Sequence, residues 1–402
     1  MPNNTTTTLD AALKQYYAGG KLTHYAYTNH PLFALLPKSQ KFPGKNIPLV
    51  SWYASSAGRS RTFATAQARA SAEKTEDFLL TRKRDYAIAY IDMEALIASE
   101  DDAGSFLKLG TDVADGLNRT LTNNLAMSLY RNHGGARGKI GAISSGTLTL
   151  SNPGDIVNFE VGMFVRHAST DGTSGALEAE AAIEITGVDR QAGTITAAAW
   201  TGFDVGNWLF QEGDFGDAIY GLQSWIPTSV TPSENFLGVD RSVDSRLRGL
   251  YLNAGTAGYD HIEALEVLDA QIVREGGKPD LCLLNPLDLR VIRTQLGSQL
   301  EYDNAAAKDI ASVSFKTLVM PSSGSGVIKL LGDPDCPQGE SFLLQTNSWE
   351  FKSAGPAPRA LESHGFKFIT SEAEDSVQLR IGYYGNLACF APSHNGRVTF
   401  AT

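Results

Sequence analysis

The residues that could do chemistry are few and poorly placed for it. His24, His30, His133, His167, His261, His364 and His394 are scattered along the chain. None forms the H-x-x-x-H or H-E-x-x-H spacing that brings two imidazoles to one zinc ion on a helix face. Cys282, Cys336 and Cys389 include no C-x-x-C pair, so neither a zinc knuckle nor a disulfide framework is expected. They read as small buried hydrophobes. GGARGK at 134–139 has the glycines and lysine of a phosphate loop, but not the G-x-x-x-x-G-K-[ST] spacing, and it follows a helical run where a strand is needed. Two glycines ending a helix explain it. GDFGD at 213–217 holds two aspartates that could bind a metal, yet the companion motifs of a phosphotransferase are missing, and it reads as a tight turn. No G-x-S-x-G elbow occurs. Paired carboxylates for glycoside chemistry need only converge in space, and nothing selects a pair. No catalytic, cofactor-binding or metal-binding residue is therefore assigned, and the chain does not read as an enzyme.

Composition narrows the class further. The chain has 402 residues, 42% apolar and 19% charged, which suits a globular protein of two or three domains. No run of about 18 apolar residues could span a membrane. The start, MPNNTTTTLD, lacks the basic and apolar regions of a signal peptide, so folding in a cytoplasm is expected. A formal net charge of −10 with no basic run disfavours tight binding of nucleic acid, though not lying close to it.

One stretch asks for a partner. SAGRSRTFATAQARASAEK, residues 56–74, has Phe63 as its only large apolar side chain. It lies between a strand-like run at Ile47–Tyr53 and a second one from Phe78 through Tyr90, where DYAIAYID alternates with period two. The two runs describe a long hairpin, and an isolated two-stranded ribbon is marginal in water. Its tip carries Arg59, Arg61, Arg69 and Lys74 against Glu73, in an otherwise acidic chain. These four cations and Phe63 are the candidate contacts with another copy of the protein, whose acidic surface would supply the complement.

The remaining elements frame this ribbon. Residues 1–44 read as an arm broken by Pro31, Pro37 and Pro43, with a short helix over Thr8–Tyr17. The strongest helical signal covers 100–133, where Leu109, Val113, Leu117, Leu121, Leu125 and Leu129 recur every fourth residue. That spacing drifts by about 40° per step, so successive parts must face different neighbours. From 139 to 214, short strand-like runs separated by turn residues predict a small antiparallel barrel or sandwich inserted into the host fold. Residues 215–255 are loop-rich. Ile262, Leu265, Leu268 and Ile272 then mark an amphipathic helix, Leu281–Leu284 a buried strand, and Asn285-Pro286 the start of another helix. Further strands are expected at Val327–Leu331, Ser341–Gln345 and Val377–Tyr384.

In this order the segments resemble the major capsid proteins of tailed bacteriophages with the Hong Kong phage-type fold. DFLLTRKRDYAIAYIDMEAL looks like the descending side of that family's extended loop. EDDAGSFLKLGTDVADGLNRTLTNNLAMSLYRNHGG resembles its spine helix, LCLLNPLDLRVIRTQL its axial strand and helix, and LRIGYYGNLACFAPSHNGRVTF its returning C-terminal strand. The resemblance implies an α+β fold. It would comprise an N-terminal arm (1–44), extended loop (45–85), peripheral domain with spine helix (86–138) and inserted β domain (139–214). A peripheral continuation (215–255), an axial domain (256–350) and a return to the peripheral domain (351–402) would follow. It further implies self-assembly through hexamers and pentamers into an icosahedral head shell in the bacterial host cytoplasm, residing finally in the virion. Partners would be a separate scaffolding protein, a portal, a decoration protein as a further candidate, and double-stranded DNA enclosed without sequence-specific contacts; no membrane is involved. Lys74 is the only lysine near the loop tip, and the covalent cross-linking of some family members is not carried over to it. The alternatives are an encapsulin-like nanocompartment shell, a soluble α/β enzyme with an unidentified site, and a tail or baseplate protein.

Overall fold

The computed structural model describes residues 30–93, 109–231, 235–296, 318–324, 326–361, 368–370 and 375–400. The helix expected over Thr8–Tyr17 and the first part of the one expected over 100–133 lie outside these residues. The chain divides into two compact units, one built on residues 83–125 and 353–385, the other on 30–82, 126–352 and 386–402.

The first unit is a sheet with a helix on one face. The strand Lys83–Asp92 pairs antiparallel with Ser376–Cys389, from Lys83↔Gly385 to Asp92↔Ser376. Side chains alternate across a strand, so Ala87 and Ile91 fall on one face and Tyr86, Ile88 and Tyr90 on the other. The helix Leu109–Tyr130 supplies the cover for the first face. Val113 packs with Ile91 and Val377, while Ala114, Leu117 and Leu121 pack with Ala87, Leu379 and Ile381. The change of partner along the helix is what an apolar stripe of spacing four requires.

The run from Phe78 to Tyr90 is not one strand. It breaks at Arg82 into Lys74–Thr81, which belongs to the hairpin, and Lys83–Asp92, which belongs to this sheet. The burial pattern gives the reason. Phe78 and Leu80 are the buried positions before the break, whereas Ile91 is the buried one after it. The alternation slips by one residue, and a one-residue slip turns every side chain to the opposite face.

The second unit contains an α/β layer. Its six-stranded sheet runs in the order Leu250–Asn253, Gly396–Thr399, Glu340–Leu344, Leu281–Leu284, Val327–Gly332, Leu318–Pro321. The helices His261–Arg274 and Pro286–Leu296 bury Leu265, Leu268, Ile272, Leu289 and Ile292 against Leu343, Val398, Ile328 and Leu330. Asn285 caps the second helix, its Oδ1 accepting the Leu287 N–H at 3.0 Å. The C-terminal strand Gly396–Thr399 sits inside this sheet, between Leu250–Asn253 and Glu340–Leu344.

A second sheet in the same unit has seven strands in the order Ile183–Glu184, Phe164–Ala168, Trp208–Gln211, Gly138–Ser144, Thr147–Leu150, Thr194–Thr196, Gly187–Asp189. Its two outermost strands are separated by only two residues, so the sheet curls until its ends meet in sequence. Ile140, Leu148, Phe159, Val165, Ile195 and Leu209 fill the interior. Its entry and exit are clamped together. Buried Arg137 reaches Gln211 Oε1 at 2.6 Å and Asp214 Oδ2 at 3.1 Å, and the Gly216 N–H donates to Gly134 O at 2.9 Å. A Cβ on Gly134 would stand 2.0 Å from Asp171 O, and one on Gly135 2.3 Å from Asp214 O, so this neck admits only glycine. The glycines of GGARGK thus do more than end a helix.

Candidate assembly surface

The hairpin is built from Asn46–Ala54 and Lys74–Thr81, in register from Asn46↔Thr81 to Ala54↔Lys74 with an irregularity after Trp52. Its inner face is anchored in its own unit. Leu49, Phe78 and Leu80 are buried, and the Phe78 ring meets Trp225 edge-on at 5.3 Å and Phe236 at 6.2 Å. Three polar ties reinforce the base. The Leu79 N–H donates to Leu237 O at 2.8 Å, Asn386 Nδ2 to Thr81 O at 2.7 Å, and Arg246 Nη1 to Tyr53 O at 2.9 Å.

The outer face has no such cover. Val50 is 56% exposed, Trp52 72% and Leu79 46%. Beyond the strands, the tip holds the short helix Phe63–Ala68, which buries no residue. Local contacts shape it: the Ala57 N–H donates to Ser71 Oγ at 2.9 Å, and a Cβ on Gly58 would stand 2.8 Å from Ala70 Cα.

All five residues singled out from the sequence lie here. Arg59, Arg61, Phe63 and Arg69 are brought together on the tip, and Lys74 starts the second strand opposite Ala54. All are exposed, Phe63 at 83%, and none of the four cations pairs with a carboxylate of a described residue. Val50, Trp52 and Leu79 were missed. The signal was present in NIPLVSWYA, whose apolar residues occupy both strand faces where a half-buried strand needs only one.

The chain just before the hairpin is held by a buried acid cluster. His30 Nδ1 lies 2.6 Å from Asp335 Oδ2. Asp333 Oδ2 accepts the Leu32 N–H at 3.2 Å and the Tyr130 hydroxyl at 2.6 Å. Burial, and then the neighbouring Asp335 charge, push the Asp333 carboxyl up to about 7 against the donors that oppose them. Leu32, Leu36 and Phe42 fill the space beneath this segment.

A polar cavity of about 890 Å³ in the second unit gathers Arg131, Lys139, Arg241, Arg397, Asp155 and Glu340 on its walls. Two of these cations are paired with carboxylates and a third is held by a carbonyl and a ring. Arg131 Nη2 stands 2.5 Å from Asp155 Oδ1, and Arg397 pairs with Glu340. Arg241 donates to Ser224 O at 2.6 Å and lies 3.9 Å over the Phe236 ring. Such a set holds elements together and presents no activated nucleophile. Burial raises the Cys282 thiol to about 12, removing it from reactive chemistry. Among the described residues no group of three His, Cys, Asp or Glu side chains could hold a metal ion. Among them also, no helix is long and apolar enough to cross a membrane.

The fold has solved counterparts. A chain of the cyanophage A-1(L) capsid asymmetric unit matches with a TM-score of 0.58 at 12% identity, over 96% of this chain and 97% of that one. A chain of the capsid of the native GTA particle matches with a TM-score of 0.52 at 10% identity, over 99% of each. No family model and no curated protein matches the chain. The likeness is one of fold: the chain has an α+β fold of the kind seen in phage capsid proteins.

Proposed function

We propose that this chain is a major capsid protein, assembling with copies of itself into an icosahedral head shell that encloses double-stranded phage DNA. The observation that carries the reading is the hairpin: a base fixed in its own unit, and an outer face and tip left without cover. A lone subunit gains nothing from such a ribbon, whereas a shell subunit gains an arm over its neighbour. The fold likeness across nearly the whole of both chains supports the same reading. On it, Leu109–Tyr130 serves as the spine helix, the seven-stranded sheet as the inserted β domain of 139–214, and the six-stranded layer as the body of the axial domain. Hexamers and pentamers, a scaffolding protein and a portal are the partners this role entails, with a decoration protein as a further candidate. The net charge of −10 suits a wall past which packaged DNA must slide.

Electron microscopy of the purified protein tests the reading. Closed icosahedral particles are expected, and a strictly monomeric species at every concentration and in the presence of phage partners overturns it. Particles filled with protein cargo in place of DNA would move the assignment to a nanocompartment shell.

A further inference from the structure

We infer that the polar cavity between the seven-stranded sheet and the six-stranded layer binds a phosphate-class oxyanion, held chiefly by Lys139 and the Arg131 guanidinium. The inference does not depend on the shell reading.

Three parts of one compact unit meet at this cavity. Arg131 follows the helix Leu109–Tyr130, Lys139 and Trp208 belong to the seven-stranded sheet, and Glu340 and Arg397 belong to the six-stranded layer. At about 890 Å³ the space has the size of a small-molecule site, far beyond the roughly 30 Å³ of one water.

The walls carry an excess of positive charge in a chain whose net charge is −10. Four cations line them, Arg131, Lys139, Arg241 and Arg397. Three carboxylates oppose these, Asp155, Asp171 and Glu340. Arg131 pairs with Asp155 and Arg397 with Glu340, while Asp171 accepts from Asn132 Nδ2 at 2.7 Å and from Thr173. Lys139 is half-buried and pairs with no carboxylate of a described residue. Its ammonium stands 5.5 Å from the centre of the Trp208 ring. Lys139 ends the run GGARGK, whose glycines belong to the neck and whose lysine is left for the cavity.

Arg131 gives a second, independent sign. It is buried, and of its five N–H donors one reaches a described residue, Asp155. Its Nε–H is buried and meets no acceptor of a described residue. Buried donors in native folds ordinarily have partners, so the acceptor must come from what fills the cavity. Water would satisfy the Nε–H alone. An oxyanion satisfies it and also answers the Lys139 charge, through charge-assisted hydrogen bonds. Ser151 adds a hydroxyl beside Lys139, its own N–H donating to Lys139 O at 2.8 Å. A carboxylate offers its oxygens to one side. Phosphate offers them all round, which suits donors arriving from a helix end and from a sheet. Free phosphate and the phosphate monoester of a small molecule share this chemistry, and the Trp208 ring gives an ester's organic part a flat wall.

Calorimetric titration of the full chain tests it, with inorganic phosphate and separately with adenosine monophosphate, at an ionic strength held constant with sodium chloride. Saturable binding is expected, and the melting temperature should rise by roughly 2–4 °C at about five times the dissociation constant. Lys139→Gln removes a charge that pairs with no carboxylate, so the chain should fold as before and bind at least about tenfold more weakly. Arg131→Lys keeps a cation for Asp155 but deletes the Nε–H, and should also weaken binding. Tighter binding of the nucleotide assigns the phosphate to an organic ester; equal or weaker binding assigns it to the free anion. No saturable binding of either, or affinity unchanged in both variants, would overturn the site and leave the shell reading untouched.

Discussion

The Tyr130 hydroxyl donates to Asp333 Oδ2 at 2.6 Å, and the same oxygen accepts the Leu32 N–H at 3.2 Å. One buried carboxylate thus ties the last residue of the long helix and the segment leading to the hairpin to the loop after Val327–Gly332. Removing the phenol leaves that oxygen short of a donor in a site closed to water. Tyr130→Phe is expected to destabilise the protein by about 1–3 kcal/mol, the usual cost of an unsatisfied buried group. Urea denaturation of the unassembled chain measures it.

The same carboxyl makes stability depend on pH. Its folded value, about 7, lies above the ordinary 3.8, because burial and the Asp335 charge both disfavour the ionised form. The folded state therefore holds a proton that the unfolded chain has released. The resulting stability is complete below about pH 4 and is lost as pH rises through about 7. Unfolding free energies should fall between about pH 4 and 7 and level off above that. Asp333→Asn should flatten that part of the curve; an unchanged slope in the variant would refute the assignment.

Two aromatic residues of the hairpin should separate folding from assembly. Phe78 is buried between Trp225 and Phe236, so Phe78→Ala is expected to cost about 3–5 kcal/mol of monomer stability. Trp52 is 72% exposed, so Trp52→Ala should change monomer stability by no more than about 0.5 kcal/mol while lowering particle yield sharply. Arg59→Glu with Arg61→Glu should likewise leave the monomer folded and block assembly. Thermal melts beside sedimentation velocity distinguish the outcomes.

Much of the architecture was legible because it rests on local signals. The period-four leucines of 109–130, the Asn285-Pro286 helix start and the turn-punctuated strands of 139–214 each announce an element through nearby residues. Two features were not legible. The break at Arg82 depends on which neighbouring sheet each half joins, and DFLLTRKRDYAIAYID alternates well enough on both sides to hide the slip. The placement of Gly396–Thr399 depends on partners 53 or more positions away, Leu343 and Leu250 among them. At the candidate surface, the cations of 59–74 were visible as charge without a local partner. The exposure of Trp52 went unread although NIPLVSWYA carries apolar residues on both strand faces, since an apolar residue in a strand is ordinarily read as core.

The neck of the seven-stranded sheet offers a test of how that element is held. Arg137 is 3% exposed and bonds Asn158 O, Gln211 Oε1 and Asp214 Oδ2, joining the residue before Gly138–Ser144 to the end of Trp208–Gln211 and the turn after it. Burial raises the Asp214 carboxyl while the Arg137 guanidinium holds it down. Arg137→Ala leaves the partly exposed Asp214 carboxylate and the Asn158 carbonyl without that donor, and a loss of about 1–3 kcal/mol is expected. Asp214→Asn leaves the guanidinium bonded to Asn158 O and Gln211 Oε1 and should cost less. Because both changes break one interaction, the double variant should lose distinctly less than the two single losses added together. A fully additive cycle would show that the pair does not act as a unit.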